Sequence, residues 1–434
     1  MNNVLEIFKE ITSVPRCSGT YQPFIDYVKS FASKYNYECL TDNYNNILCR
    51  KKDSKANLCL QNHYDIVCLV DNCVPKIVEE DGFLKSENST LGADNGIGCS
   101  YMLSLMSQNY DCEFLFTSDE EIGLIGANNL ELELNAQFML NIDSEEEGEI
   151  CIGCAGGIDI FAKNNKKNIL KNDENYELYE IEISKLPGGH SGINIHLNTP
   201  NAIKLIAQMI KENDGLLLDI NGGERINSIP VNVKAIVAFK SYPKNISHEN
   251  LCITRIDTKT EHMNIWTSDI VDFIYTFSNG VRGYDKDLGV VLSSINLAKI
   301  STDLDSISIE LSARSMSNEG LDSIKKESIA LLEHFNFIVE TNGKYPAWKP
   351  DVNEFTNNIL EIYKKYNKSA SLEAIHAGLE CAIFKQKFPK MKIASIGPNI
   401  FDPHSNREKV EIKSVERLSE IVKEIVDSLK KENK

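Results

Sequence analysis

The chain has 434 residues, of which 42% are hydrophobic and 25% charged. That balance excludes a disordered chain and predicts two or three domains with real cores. A formal net charge of −17 argues against a nucleic-acid backbone or an anionic membrane surface as partner and leaves small substrates and cations open.

Met1-Asn-Asn-Val-Leu-Glu-Ile-Phe-Lys-Glu-Ile is charged and helix-patterned, without a basic n-region or apolar h-region. No run of about 18 apolar residues follows, so no membrane span is expected. Cytoplasmic location is the resulting expectation, with the 12 cysteines as reduced thiols. Leu58-Cys-Leu-Gln61 reads as a strand, Asn95 to Met106 as an apolar-striped helix, and Phe114–Thr117 and Phe138–Ile142 as further strands. This alternation predicts an α/β sheet covered by helices. Cys59, Cys68, Cys99 and Cys112 lie among apolar neighbours and read as small core residues. Cys151 and Cys154 form a C-x-x-C, but no second pair completes a zinc site, so they read as two thiols at a strand end.

The polar stretch Asn164–Asn175 suits a crossing between domains. Beyond it lie strand-like segments at Tyr179–Ile183, Val231–Phe239 and Ser306–Leu311, and helical ones at Ala202–Glu212 and Leu321–His334. Lys344–Pro350 reads as the return crossing. Lys392–Ile396 is a strand, and a helix begins near Lys413 with Val415, Leu418, Ile421, Val422, Ile425, Val426 and Leu429 at helical spacing. The expected architecture is an α/β catalytic domain with a mixed sheet flanked by helices (1–177 and 347–434), interrupted by an inserted α+β domain (178–346).

One layout recurs: an apolar strand followed just past its end by a metal-binding residue type. His63-Tyr-Asp65, Asp119-Glu120-Glu121, Asp143 and His404 all fit it, and Asp94 stands at the mouth of a helix. Carboxyl ends of neighbouring strands border the ligand crevice of such sheets, so residues distant in sequence can meet there. Two histidines with several carboxylates form a hard N/O set suited to zinc, with cobalt or manganese as substitutes. Each element alone is weak; a lone Asp-Glu-Glu is most often a solvated loop. Asp65, two residues past His63, is placed to accept from its other ring nitrogen.

Six segments in consistent order resemble a known family. They are Leu60-Gln-Asn-His63-Tyr-Asp65, Thr90-Leu-Gly-Ala-Asp94-Asn-Gly96, Asp119-Glu-Glu-Ile-Gly-Leu-Ile-Gly-Ala127, Asn141-Ile-Asp143-Ser-Glu-Glu-Glu-Gly148, Gly188-Gly-His190-Ser-Gly192 and His376-Ala-Gly-Leu-Glu-Cys381. The chain resembles the dinuclear-zinc metallopeptidases that include carboxypeptidase G, aminoacylases and carnosinases, and within them the aminoacyl-histidine dipeptidases. The resemblance implies two Zn²⁺ per subunit, one held by His63, Asp94 and Asp143, the other by the bridging Asp94 with Glu121 and His404. It implies Glu120 as general base, beside Glu121 on an extended segment that aims the two side chains apart. Hydrolysis of small dipeptides, Xaa-His above all, is the implied activity. The insertion is implied to be a lid that also joins a homodimer.

His190 by itself reads as a turn histidine; the resemblance implies an oxyanion-stabilising role. Arg314 by itself is an ordinary exposed arginine, and the resemblance places it on the substrate carboxylate. Asn227, His376 and Gly378 are further substrate-facing candidates, and Glu380 reads equally as a structural acceptor. Departures include Asn62 where glycine is common, Leu197-Asn-Thr-Pro200 after His196, and Ser405-Asn-Arg-Glu408 after His404. These touch substrate preference and leave the metal set whole. An N-acyl amino acid deacylase and a catalytically silent dimeric binding protein are the alternatives. No glycine loop with lysine supports a phosphatase.

Overall fold

The structure is a computed structural model; it describes residues 4–69, 74–169, 176–244, 249–257, 263–286 and 289–431. By its contacts the chain forms two compact units. The first comprises Met1–Cys154, Trp348–Ala374 and Leu379–Lys434, the second Ala155–Ala347 and Ile375–Gly378. The strand Gly156–Asn164, which precedes the expected edge at 177, pairs inside the second unit with Ile307–Ser315 and Ile338–Tyr345. Lys344 and Tyr345, expected in a crossing, end the latter strand. Residues 170–175 of the other expected crossing lie outside the described residues.

The first unit is built on an eight-stranded mixed sheet in the order Glu38–Thr41, Ile47–Arg50, Glu113–Thr117, Leu58–His63, Phe138–Asn141, Lys392–Ser395, Glu149–Cys154, Ser371–Ile375. Its centre is parallel: Leu58–His63 runs beside both Glu113–Thr117 and Phe138–Asn141, and Lys392–Ser395 beside the latter. These central strands are buried on both faces, which is why they read as short continuous apolar runs. Helices Val4–Thr12, Gln22–Lys34, Ala93–Ser107, Glu354–Tyr366 and Ile412–Lys431 contribute to a core shared with the sheet, through Phe8, Phe24, Met102, Ile359 and Leu418 among others. Because parallel strands end on the same side, His63, Thr117 and Asn141 finish together, and the loops beyond them carry the chemistry.

The second unit contains an antiparallel sheet in the order Leu251–Ile256, Glu177–Ile183, Val233–Phe239, Leu216–Gly222, Val290–Thr302, Ile307–Ser315, Gly156–Asn164, Ile338–Tyr345, with Gly280–Asp285 pairing Val290–Thr302. One face is covered by helices Ala202–Glu212, Ser268–Thr276 and Asn318–His334, whose apolar stripes (Ile203, Ile206 and Ile210 on the first) enter one core with Ile181, Val237 and Leu311. Asn201 caps the first of these helices by accepting from the N–H groups of Ile203 and Lys204. No helix among the described residues is long and apolar enough to cross a membrane.

Among the described residues the cysteines depart from expectation at one pair. Cys17 and Cys68 are disulfide-bonded, with Cα atoms 5.6 Å apart. The cause is local: Cys17 bridges Ile66, and Ile66 N–H donates to Arg16 O, so two loops run side by side. Cys68 is thus half-buried and bonded rather than a core thiol, whereas Cys59, Cys99, Cys112, Cys151 and Cys154 are free and buried.

Candidate metal centre and anion-binding cluster

The end of the strand Leu58–His63 fixes His63. Its Nδ1 lies 3.0 Å from the backbone carbonyl of Asp65, which can only accept. Nδ1 therefore carries the proton, and Nε2 presents a lone pair. That lone pair faces Asp94 Oδ1 at 3.1 Å and Asp143 Oδ1 at 3.2 Å. A lone pair against two carboxylate oxygens is repulsive unless a proton or a cation lies between them. Across Asp94, its Oδ2 stands 3.0 Å from His404 Nε2, which is also 3.0 Å from Glu121 Oε2. Ligand atoms around a tetrahedral cation with bonds of about 2.0–2.1 Å lie about 3.3 Å apart, so both clusters have the dimensions of a metal site. His63, Asp94 and Glu121 offer atoms that all lie within 4.8 Å of one another. Glu121 Oε1 is buried with no hydrogen-bond partner among the described residues.

Electrostatics point the same way. Burial pushes the carboxyls of Glu120, Glu121 and Asp143 up against the opposing pull of His63, and their mutual repulsion adds to the shift. Asp94 moves the other way: burial opposes its charge, but His404 and His63 hold it well below the usual carboxylate range. His404 is raised to about 11, burial being outweighed by Asp94 and Glu121. This crowd of half-buried carboxylates attracts positive charge, which protons on His63 and His404 or a divalent cation can supply. The donor set fits the metal that the sequence implies.

Two details differ from expectation. Asp65 serves His63 through its backbone carbonyl, its carboxylate standing 3.6 Å from Nδ1. That carboxylate is committed elsewhere, accepting from Ser18 Oγ at 2.8 Å and from the N–H groups of Glu120 and Glu121 at 3.1 and 3.3 Å. The segment carrying Glu120 and Glu121 is a turn, not an extended stretch: Asp119 has φ 51°, and Glu120 O accepts from Gly123 and Leu124 N–H. A turn, rather than strand alternation, carries this pair of carboxylates. Asn62, at a place where glycine is common, is buried and accepts from Asn95 Nδ2 at 3.0 Å and Ile142 N–H at 3.2 Å. Asn95 Nδ2 also donates to Asp143 Oδ1. Glu380 is fully buried, accepting from Gln61 Nε2 and Thr117 Oγ1, and burial raises its carboxyl to about 8.

His190, Arg314, His376 and Gly378 all lie in the second unit. His190 Nδ1 accepts from the N–H groups of Gly192 and Ile193 at 3.3 and 3.1 Å, which leaves the hydrogen of a neutral ring on Nε2. Burial and then Arg314 lower its pKa to about 4, so the ring is a neutral Nε2–H donor at pH 7. Arg314 is buried rather than exposed; its Nη1 donates to Tyr345 Oη at 2.8 Å and its Nε has no partner among the described residues. His376 Nε2 is 2.8 Å from Ser294 Oγ, and burial with Arg314 lowers its pKa to about 3. A Cβ on Gly192 would sit 3.1 Å from His190 Cε1, 3.2 Å from Arg314 Cζ and 2.5 Å from the backbone oxygen of His376, so two side chains and one carbonyl converge on a position with no room for a side chain. Asn227 joins through its backbone, its carbonyl accepting from Ser191 N–H at 2.8 Å, while its side chain is exposed. A Cβ on Gly378 would reach 2.8 Å from the Tyr345 ring. A buried guanidinium beside neutral imidazoles is suited to an anion, a carboxylate above all.

Sequence reasoning missed Tyr345, Ser294, Arg16 and the role of Glu408. Tyr345 and Ser294 sit in strands with no chemical motif around them. Arg16 is a lone arginine whose depth only the fold reveals. Glu408 did carry a signal, an acid four residues beyond a proposed metal ligand.

The profile described as "Peptidase family M20/M25/M40" matches residues 59–428. The cytosol non-specific dipeptidase of Escherichia coli (strain K12) is 31% identical over 470 aligned positions, covering 97% of each sequence. The crystal structure of aminoacylhistidine dipeptidase from Vibrio alginolyticus superposes with a TM-score of 0.83 at 27% identity, covering 98% of this chain and 96% of that one. A tripeptidase from Staphylococcus aureus shares the fold, with a TM-score of 0.60 at 19% identity over 98% and 97% of the two chains. On the profile match and the full-length relative, the chain belongs to peptidase family M20/M25/M40.

Proposed function

We propose that this M20 peptidase is a two-zinc dipeptidase acting on small dipeptides, Xaa-His among them. His63, Asp94 and Asp143 would hold one cation, and Asp94, Glu121 and His404 the other. The observation that carries the reading is the aim of the His63 Nε2 lone pair between Asp94 and Asp143, repeated by His404 between Asp94 and Glu121. Cations bound there polarise the scissile carbonyl and make a water acidic enough to attack near neutral pH. Glu120, half-buried and outside the paired contacts of the proposed ligands, is the carboxylate assigned to take the water's proton and return it to the leaving amine nitrogen. Asp65 would fix that arrangement, since it holds His63 and both backbone N–H groups of the Glu120–Glu121 turn.

To the second unit we assign recognition of the peptide's carboxylate by Arg314, with His190 Nε2–H as an oxyanion donor and His376, Gly378 and Asn227 shaping the surroundings. A lid and homodimer role for this unit, residues 178–346 in the sequence-based division, and a cytoplasmic location complete the proposal. The names of the Escherichia coli and Vibrio alginolyticus relatives support dipeptides over acylated amino acids. The test is a panel of β-alanyl-histidine, glycyl-histidine, leucyl-glycine and N-acetyl amino acids, offered to zinc-loaded, chelated and Glu120→Ala protein. Metal-dependent cleavage of the dipeptides is expected. Turnover of the acetylated compounds alone would make the chain a deacylase, and no turnover with two zincs bound would overturn the proposal.

A further inference from the structure

Four consecutive backbone N–H groups, those of Leu91, Gly92, Ala93 and Asp94, point at the single carboxylate of Glu408, at 2.8, 3.0, 2.8 and 3.2 Å. Glu408 is 3% exposed and lies four residues beyond His404. The opposite side of the same segment is held by Arg16, 2% exposed. Its Nη2 donates to Gly92 O at 2.7 Å and its Nη1 to Tyr64 O at 3.0 Å, the carbonyl between His63 and Asp65. The fit is tight: a Cβ on Gly92 would lie 2.9 Å from Arg16 Nη2 and one on Gly96 2.4 Å from it.

We infer that Glu408 and Arg16 are positioning residues that clamp the Asp94 segment between the His63 and His404 loops and so set the bridging carboxylate for two cations. The inference rests on the two-metal reading above. Asp94 faces His63 with one oxygen and His404 with the other. Its reach to His63 has separate support, since Arg16 ties the Asp94 and His63 segments and Asn95 ties Asp143 to Asn62. Its reach to His404 depends on Glu408, whose backbone belongs to the His404 loop (Glu408 N–H donates to Ser405 O) and whose carboxylate grips the Asp94 segment. Among the described residues, Glu121 meets that loop through the His404–Glu121 contact itself. Breaking the Glu408 grip therefore loosens the Asp94–Glu121–His404 half selectively, and breaking the Arg16 grip loosens both halves.

Glu408→Gln tests this with little change of volume, because the new amide NH₂ faces N–H donors. The measurement is Zn²⁺ binding to full-length, metal-stripped protein by competition with a chromophoric chelator, together with the visible absorption of the Co²⁺-loaded form. Wild type is expected to take up two Zn²⁺. The Glu408→Gln variant should keep one near wild-type affinity and lose about 10–100-fold at the other, the range typical of partners that orient metal ligands. Its Co²⁺ bands should change in the portion added by the second equivalent. Arg16→Lys, which keeps the charge but not the fork, should weaken both equivalents, and Glu408→Asp should restore part of the second. Two equivalents at wild-type affinity with an unchanged Co²⁺ spectrum in folded Glu408→Gln overturn the inference, as does equal weakening of both in that variant. If Glu408→Gln does not fold, Glu408→Asp and Arg16→Lys decide it: selective loss in the first with joint loss in the second supports the clamp, and any other pattern refutes it. Wild type binding fewer than two Zn²⁺ defeats the two-metal reading itself, a result distinct from all of these.

Discussion

At the scale of single residues, Glu120 and the second unit's His190 and His376 bear the most direct tests. Glu120 is half-buried near Asp143 and Glu121 but, among the described residues, occupies none of the paired contacts that join the proposed ligands. Glu120→Ala is therefore expected to cut turnover by roughly 10²–10⁴-fold, the usual worth of a positioned general base. Metal content should stay at the wild-type level; a variant that loses both in parallel would make Glu120 a ligand. His190 and His376 titrate near 6.5 when unfolded, and in the fold they are lowered to about 4 and about 3. Between those limits the unfolded chain binds more protons than the folded one, so stability must fall as pH falls through that window and level off above it. Urea unfolding at pH 7.5, 6, 5 and 4 should show this acid loss in the second unit, and His376→Asn should make it shallower. A loss equally steep in His376→Asn would assign it to other groups.

Elements show how narrowly the site is built. A Cβ on Gly98, in the helix Ala93–Ser107, would come 2.0 Å from Asn95 Oδ1 and 2.3 Å from Asn62 Oδ1. Gly98→Ala is thus expected to push both amides away from Asp143, lowering metal affinity at least tenfold while the far turns of the helix persist by circular dichroism. Unchanged affinity would show that the amides do not orient Asp143. This helix also illustrates what could be read in advance. Its apolar run from Ile97 to Met106 is plain in the sequence, but Asp94 and Asn95 inside its first turn have non-helical backbone angles that no periodicity announces. Ala202–Glu212 was legible to the residue because its stripe is clean and Asn201 caps it. Leu216–Gly222, Val290–Thr302 and Ile338–Tyr345 were not, since these strands mix polar residues into the pattern. His63, Asp94, Glu121, Asp143 and His404 could be named because each follows a strand or opens a helix, and the resemblance grouped them. Tyr345 and Arg16 could not, because their importance lies in what distant segments bring against them.

Over the whole molecule, the two units can be followed separately, since the chain has only two tryptophans and each unit buries one. Trp348 is 1% exposed in the first, and Trp266 is 4% exposed in the second. A ligand that binds only the folded state stabilises the unit that holds it. Chelation is therefore expected to lower the thermal transition seen by fluorescence in Trp266→Phe, where Trp348 alone reports. In Trp348→Phe the transition should stay in place; an equal shift there would mean that the metal stabilises both units together. The first unit is also discontinuous in sequence: Lys392–Ser395 slots between Phe138–Asn141 and Glu149–Cys154, and His404 follows only after that strand. During synthesis the ribosome must deliver all of Ala155–Ala347 while a gap stands open in the middle of the other sheet. The nascent segment before Ala155 thus waits through the synthesis of Ala155–Ala347 with unsatisfied strand edges, a state that recruits chaperones and invites mispairing. A metal could fill the proposed ligand set only once His404, the last of those residues in the sequence, has been made, which places metallation after the synthesis of Ala155–Ala347.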